Sequence, residues 1–78
     1  MIKKETVRLV ITSDEGTHLY TGIVMEDEDF VVIKQVVAGE LTGRVFSFRT
    51  SLVEKKKEFL DNTVNYYISD KNVRIDKK

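Results

Sequence analysis

The sequence predicts a mainly β protein, a small and strongly bent antiparallel barrel of five or six strands with one short helix, in a single domain spanning residues 1–78. Three observations predict it. Apolar residues recur with period two through the first fifty positions, polar or glycine-bearing links separate the runs, and 78 residues are too few to fill two broad packed sheets. Barrel closure protects the strand edges that such a short sheet would otherwise expose.

Val7, Leu9 and Ile11 alternate with Arg8, Val10 and Thr12, which places three aliphatic side chains on one face of a first strand. Ser13-Asp14-Glu15-Gly16 then offers short polar side chains that bond their own backbone, the chemistry of a hairpin turn. Along a second strand, Thr17 to Met25, Leu19, Ile23 and Met25 fall on one side and Tyr20 and Val24 on the other. Gly22 brings no side chain to the middle of that strand and predicts a tight bend. The acidic run Glu26-Asp27-Glu28-Asp29 breaks the pattern, and Phe30 to Val37, rich in β-branched residues, resumes it as a third strand. Beyond Ala38-Gly39-Glu40, Leu41 to Arg49 forms a fourth strand with Val45, Phe46 and Phe48.

The next segment reads differently. Ser51-Leu52-Val53-Glu54 has the spacing of a helix capping box, and Leu52, Val53, Lys56, Phe59 and Leu60 share one side at helical spacing. A short helix is therefore expected over Leu52–Leu60, stopped by Asp61-Asn62. Val64, Tyr66 and Ile68 then alternate, Ser69 to Asn72 is rich in turn formers, and Val73 with Ile75 gives a last short strand. There is no proline to remove a donor from any ladder.

Composition excludes several function classes. Without cysteine there is neither a disulfide framework nor a thiolate metal site. His18 is the only histidine and no carboxylate or serine has a nucleophile's setting, so the chain is not expected to be an enzyme or to carry a cofactor. Glu26 to Asp29 clusters carboxylates but lacks the alternating ligands and glycine of a calcium loop, so no metal is expected and the run reads as a solvated turn. The apolar runs fall far short of the roughly 20 residues that span a bilayer, which points to an intracellular, cytoplasmic protein away from membranes. A domain this small buries only about 60% of its unfolded surface, so a homo-oligomer is expected.

Thirteen basic and thirteen acidic residues cancel, but not evenly: residues 1–40 hold four basic and eight acidic side chains, residues 41–78 nine and five. The second half could gather a basic face from Arg44, Arg49, Lys55, Lys56, Lys57, Lys71 and Arg74 near several aromatic residues. Opposite-signed halves also suit head-to-tail contacts between copies.

Val7 to Ile33, with its Asp14-Glu15-Gly16 turn, Tyr20-Thr21-Gly22-Ile23-Val24 and an acidic turn before Phe30-Val31-Val32-Ile33, resembles the first motif of the Sm-like (LSm) proteins. Val45-Phe46-Ser47-Phe48-Arg49-Thr50 is a partial counterpart of the second, with threonine where the family has glycine. The resemblance implies an SH3-like barrel that assembles into rings through edge strands and binds RNA without catalysis, and Arg49 is the position that it carries over. The leading expectation is thus a module that binds RNA or another single-stranded nucleic acid. Arg49, Lys55, Lys56 and Lys57 would contact phosphate, and Phe30, Tyr66 or Tyr67 would stack a base. The alternative is a protein-interaction or assembly module that pairs through an exposed strand edge.

Overall fold

Residues 5–77 are described by a computed structural model. Seven strands follow in order: β1 (Glu5–Ser13), β2 (Gly16–Glu26), β3 (Phe30–Val37), β4 (Glu40–Arg49), β5 (Glu54–Lys57), β6 (Val64–Ser69) and β7 (Arg74–Lys77). Single 3₁₀ turns at Thr50–Leu52 and Asp70–Asn72 lead from β4 to β5 and from β6 to β7. All seven strands join one sheet in the order β5-β6-β1-β2-β3-β4-β7. Every neighbouring pair is antiparallel except β1 and β6, which run parallel from Arg8↔Asn65 to Thr12↔Ser69. The sheet is therefore mixed, not purely antiparallel, and no ladder closes it by joining β5 to β7. Among the described residues no helix is long and apolar enough to cross a membrane.

One face of this sheet supplies the main core cluster: Val7, Leu9 and Ile11 from β1, Val24 from β2, Val31 and Ile33 from β3, Phe46 and Phe48 from β4, Tyr66 and Ile68 from β6. A flat sheet of seven strands would be about 10 Å thick. The molecule measures 33 × 31 × 28 Å, so the sheet must coil around its own side chains. Coiling gives every inward residue a partner across the core without a covering layer of helices.

Gly22 permits the tightest approach in that coil. It lies between Val7 of β1 and Gln35 of β3, and a Cβ at this position would stand 2.5 Å from the Lys34 carbonyl oxygen and 2.6 Å from Ile33 Cγ2. The two sides of β2 are correspondingly unequal. Val24 is buried in the core and Tyr20 packs against it, whereas Leu19, Ile23 and Met25 lie on the other side, with Leu19 largely exposed. The side richer in apolar residues is thus the outer one. In β4, Gly43 takes φ 90° where the register with β3 slips between Lys34 and Val36, a bulge that a side chain would strain.

The helix expected over Leu52–Leu60 does not form. Thr50–Leu52 is one 3₁₀ turn without a side-chain cap, Val53 is extended, Glu54–Lys57 is β5, and residues 58–63 form the hairpin loop to β6. Two physical reasons decide it. Pairing with β6, from Glu54↔Tyr67 to Lys57↔Val64, satisfies the backbone of β5. A helix would also need a buried stripe, and Leu52, Phe59 and Leu60 have nothing to be buried against.

Candidate interaction surface

The residues expected to bind nucleic acid divide into two groups. Phe30 and Arg49 face each other across β3 and β4, with the guanidinium carbon 5.4 Å from the ring centroid and the ring 49% exposed. The acidic turn beside them is ordered by its own backbone. Asp27 Oδ1 accepts from the amides of Asp29 at 2.8 Å and Phe30 at 2.9 Å, and the Thr50 hydroxyl donates to the Asp27 carbonyl at 3.1 Å. The bonds from the Phe30 and Asp29 amides hold the Asp27 carboxyl below the usual aspartate range. Among the described residues no three His, Cys, Asp or Glu side chains converge as a metal site.

Lys55, Lys56 and Lys57 do not form one patch. Strand alternation sends them to opposite faces, opposite Tyr66, Asn65 and Val64 in turn. Lys55 Nζ lies 5.7 Å from the Tyr66 ring centroid and 3.0 Å from Glu26 Oε2. Lys56 Nζ lies 5.6 Å from the ring of half-buried Tyr67 and 3.5 Å from Glu54 Oε1. Tyr66 is a correction to the expected set: at 4% exposure its ring belongs to the core and cannot stack a base. Its hydroxyl donates to Glu26 Oε1. Burial first, and then the Glu26 carboxylate, push the Tyr66 hydroxyl well above its ordinary range. Partial burial raises Glu26, but the hydrogen bonds from Tyr66 and Lys55 outweigh it and leave the carboxyl below its ordinary value. Glu26 thus ties the β5–β6 hairpin to the end of β2.

The most unusual surface lies where no ligand contact was expected. At the tip of the β5–β6 hairpin, Phe59 and Leu60 are 101% and 97% exposed. The loop that carries them is bonded throughout. The Glu58 amide donates to the Thr63 carbonyl at 2.8 Å, the Asn62 amide to the Glu58 carbonyl at 3.0 Å, and the Thr63 amide to Asp61 Oδ1 at 3.0 Å. Asn62 turns the chain with φ 63°. From the body, Arg8 donates through Nη2 to Asp61 Oδ2 at 3.1 Å and through Nη1 to Asn65 Oδ1 at 3.2 Å. Buried Asn65 in turn donates to Glu58 Oε2 at 3.2 Å and to the Tyr67 hydroxyl at 3.3 Å. The Thr63 amide and then the Arg8 guanidinium hold the Asp61 carboxyl below the usual range. The legible signal was Asp61-Asn62, a turn pair that directly follows two large apolar residues.

A cleft of about 390 Å³ opens between the β1–β2 turn and the start of β7. Ile11, Tyr20, Val73 and Ile75 give it apolar walls, and Asp14, Glu15 and Asp70 are its charged lining residues, with His18 beside them. Arg44 stands over the Tyr20 ring at 5.9 Å. In comparisons with known proteins, no family model, no curated protein and no solved structure matches this chain.

Proposed function

We propose that the chain is a non-enzymatic binding module that docks onto protein through the tip of its β5–β6 hairpin. One observation carries this reading: Phe59 and Leu60 stand almost wholly in water on a loop that four hydrogen bonds and an arginine clamp hold in shape. Burying two such side chains supplies about 3–6 kcal/mol, and a loop ordered beforehand loses little entropy on binding. Edge pairing is less favoured. β5 and β7 are four residues each and carry Lys55, Lys56, Lys57, Arg74 and Lys77, the short, cationic edges that discourage addition of a strand.

The barrel belongs to this proposal. β4 continues through its 3₁₀ turn into β5, and β6 through the other into β7, while β5 pairs with β6 and β4 with β7. Counting each bent pair as one stave gives five staves around a single core, the form that the Sm-like resemblance implies. The test is a photo-crosslinking phenylalanine analogue placed at position 59 in living cells, with position 28 in the acidic turn as control. A discrete adduct at 59, absent at 28 and lost on Leu60→Ser, is expected. No adduct at 59, or the same adducts from both positions, rules the docking tip out.

A second reading keeps nucleic acid as ligand, and the exposed Phe30–Arg49 stack is what favours it. Here affinity for a single-stranded oligonucleotide falls steeply with salt and drops on Arg49→Ala. Absence of binding at low salt removes this reading.

A further inference from the structure

The two terminal strands of the sheet are guarded by their lysines, but a third edge lies within it. β2 pairs with β1 from Gly16 to Val24, whereas β3 covers it only from Gly22 to Glu26. Thr17 to Thr21 therefore keep one edge unpaired among the described residues, and alternate positions along it turn an amide and a carbonyl away from β1. β3 does not return to cover them: beyond Gln35 it pairs with β4 alone, through Val36↔Leu41 and Val37↔Glu40. The devices that close an edge to other chains are missing here. Gly16-Thr17-His18-Leu19-Tyr20-Thr21 has no charged side chain and no proline.

This open edge runs between two hollows of different character. On the core side is the cleft of about 390 Å³, to which His18 and Tyr20 contribute from β2. Ile75 lies opposite fully buried Phe46 and faces the same interior, yet it is half-exposed, so the cleft is an uncovered end of the core. Its charged lining residues are Asp14, Glu15 and Asp70, and none of the three forms an ion pair among the described residues. Arg44, over the Tyr20 ring, and Lys71, next to Asp70 in the chain, lie outside that lining. Three carboxylates against these two cations leave the cleft negative. The second hollow, of about 430 Å³, opens where β2 and β3 splay apart, between Leu19–Thr21 and Gln35–Gly39. None of its lining residues is charged, and Leu19 and Val37 are largely exposed there.

We infer that the open half of β2 receives an extended segment of a partner protein in which basic and apolar side chains alternate. Strand addition gives the unpaired amides and carbonyls protein partners, and the period of two sends successive side chains of the added strand to opposite faces. One set enters the cleft, where an aliphatic stem lies along Tyr20 and Ile75 and its ammonium or guanidinium meets Asp14, Glu15 and Asp70. The other set fills the uncharged groove against Leu19 and Val37. The charges select this segment over others. An acidic one is repelled at the cleft, and a wholly apolar one covers three carboxylates without giving them a partner. The surface is separate from the hairpin tip and does not depend on the docking reading above.

Random heptapeptides displayed on phage and selected on the full chain test it, with the enriched sequences then titrated as fluorescent synthetic peptides. Enriched sequences are expected to carry Lys or Arg at every second position with aliphatic or aromatic residues between. Glu15→Lys with Asp70→Lys, both at exposed positions, weakens their binding about tenfold or more, and added salt shrinks the difference. Thermal melts establish that this variant folds, and Glu15→Lys alone replaces it if it does not. Bound peptide slows amide exchange within Thr17–Thr21. Phe59→Ser with Leu60→Ser binds the peptides as wild type does. No enrichment, enrichment of sequences without basic residues, or affinity indifferent to the charge reversals overturns the inference, as does protection confined to another strand. Binding that Phe59→Ser with Leu60→Ser abolishes overturns it too, and assigns the peptides to the hairpin tip. A failed selection leaves the docking reading to its own crosslinking test at position 59.

Discussion

Phe46 and Phe59 mark two regions of the molecule that treat one side chain in opposite ways. Phe46 is fully buried, its ring 4.7 Å from that of Tyr20, in a core assembled from β1, β2, β3, β4 and β6. Phe59 is fully exposed on a hairpin whose ordering comes from polar clamps. The body of the fold thus uses its inward-facing apolar residues to hold itself together. The hairpin uses hydrogen bonds for its shape and leaves its apolar pair free for a partner. In a chain of 78 residues, where core is scarce, two large side chains withheld from the core point to function more than to folding.

The widest separation between the regions is expected in stability. Phe46→Ala leaves a cavity in the coil and is expected to cost about 3–5 kcal/mol, much of the stability of a small domain. Phe59→Ala changes a side chain without contacts to lose and is expected to stay within about 0.5 kcal/mol of wild type. Urea unfolding of both variants checks the pair. Comparable losses would mean that the tip is packed and the contrast false.

The same contrast explains what could be read from the sequence. In β1 to β4 the coil buries one face of each strand, so Val7, Leu9 and Ile11, or Phe46 and Phe48, betray their strands by alternation. β5 is Glu-Lys-Lys-Lys, with no apolar signal at all. Its state is set by pairing with β6, and the parallel contact of β1 with β6 joins residues 57 positions apart, as in Arg8 with Asn65. Reading Leu52–Leu60 as a helix assumed that spaced apolar residues are buried, and here they are displayed. The lysines looked like a patch because sequence adjacency hides the two faces of a strand. For Tyr66, expected to stack a base, the contrary signal was its alternation with Val64 and Ile68, whose inward face it shares, while Tyr67 lies on the opposite face with Asn65.

A smaller effect sharpens the picture of the body. Gly22→Ala puts a methyl group against the Lys34 carbonyl, a backbone atom that cannot swing aside, and against Ile33. Strands β2 and β3 must then part locally, at an expected cost of about 1–3 kcal/mol. The measurement is the denaturation midpoint together with amide exchange in β3, which should quicken from Ile33 to Gln35. Wild-type stability and protection would show that the coil is looser here than the approach distances indicate.

The smallest effect concerns the join between the two regions, where Tyr66 of the hairpin donates to Glu26 at the end of β2. Tyr66→Phe keeps the buried ring and removes one hydrogen bond to a charged acceptor, with an expected loss of about 1–2 kcal/mol near neutral pH. That loss should vary with pH in a defined sense. Glu26 titrates below its ordinary 4.5 when folded, so its share of the bond is present above that value and is lost as pH falls through the lower folded value. Tyr66 holds its proton above its ordinary 10.0 when folded, so its share is complete below that value and is lost as pH rises beyond it. The stability difference between wild type and Tyr66→Phe is therefore a plateau between about pH 4.5 and 10 that narrows on both sides, measurable by chemical unfolding at several pH values. A difference that is flat across the whole range would mean that the hairpin is joined to the body by packing alone, and that Glu26 serves only the exposed lysine beside it.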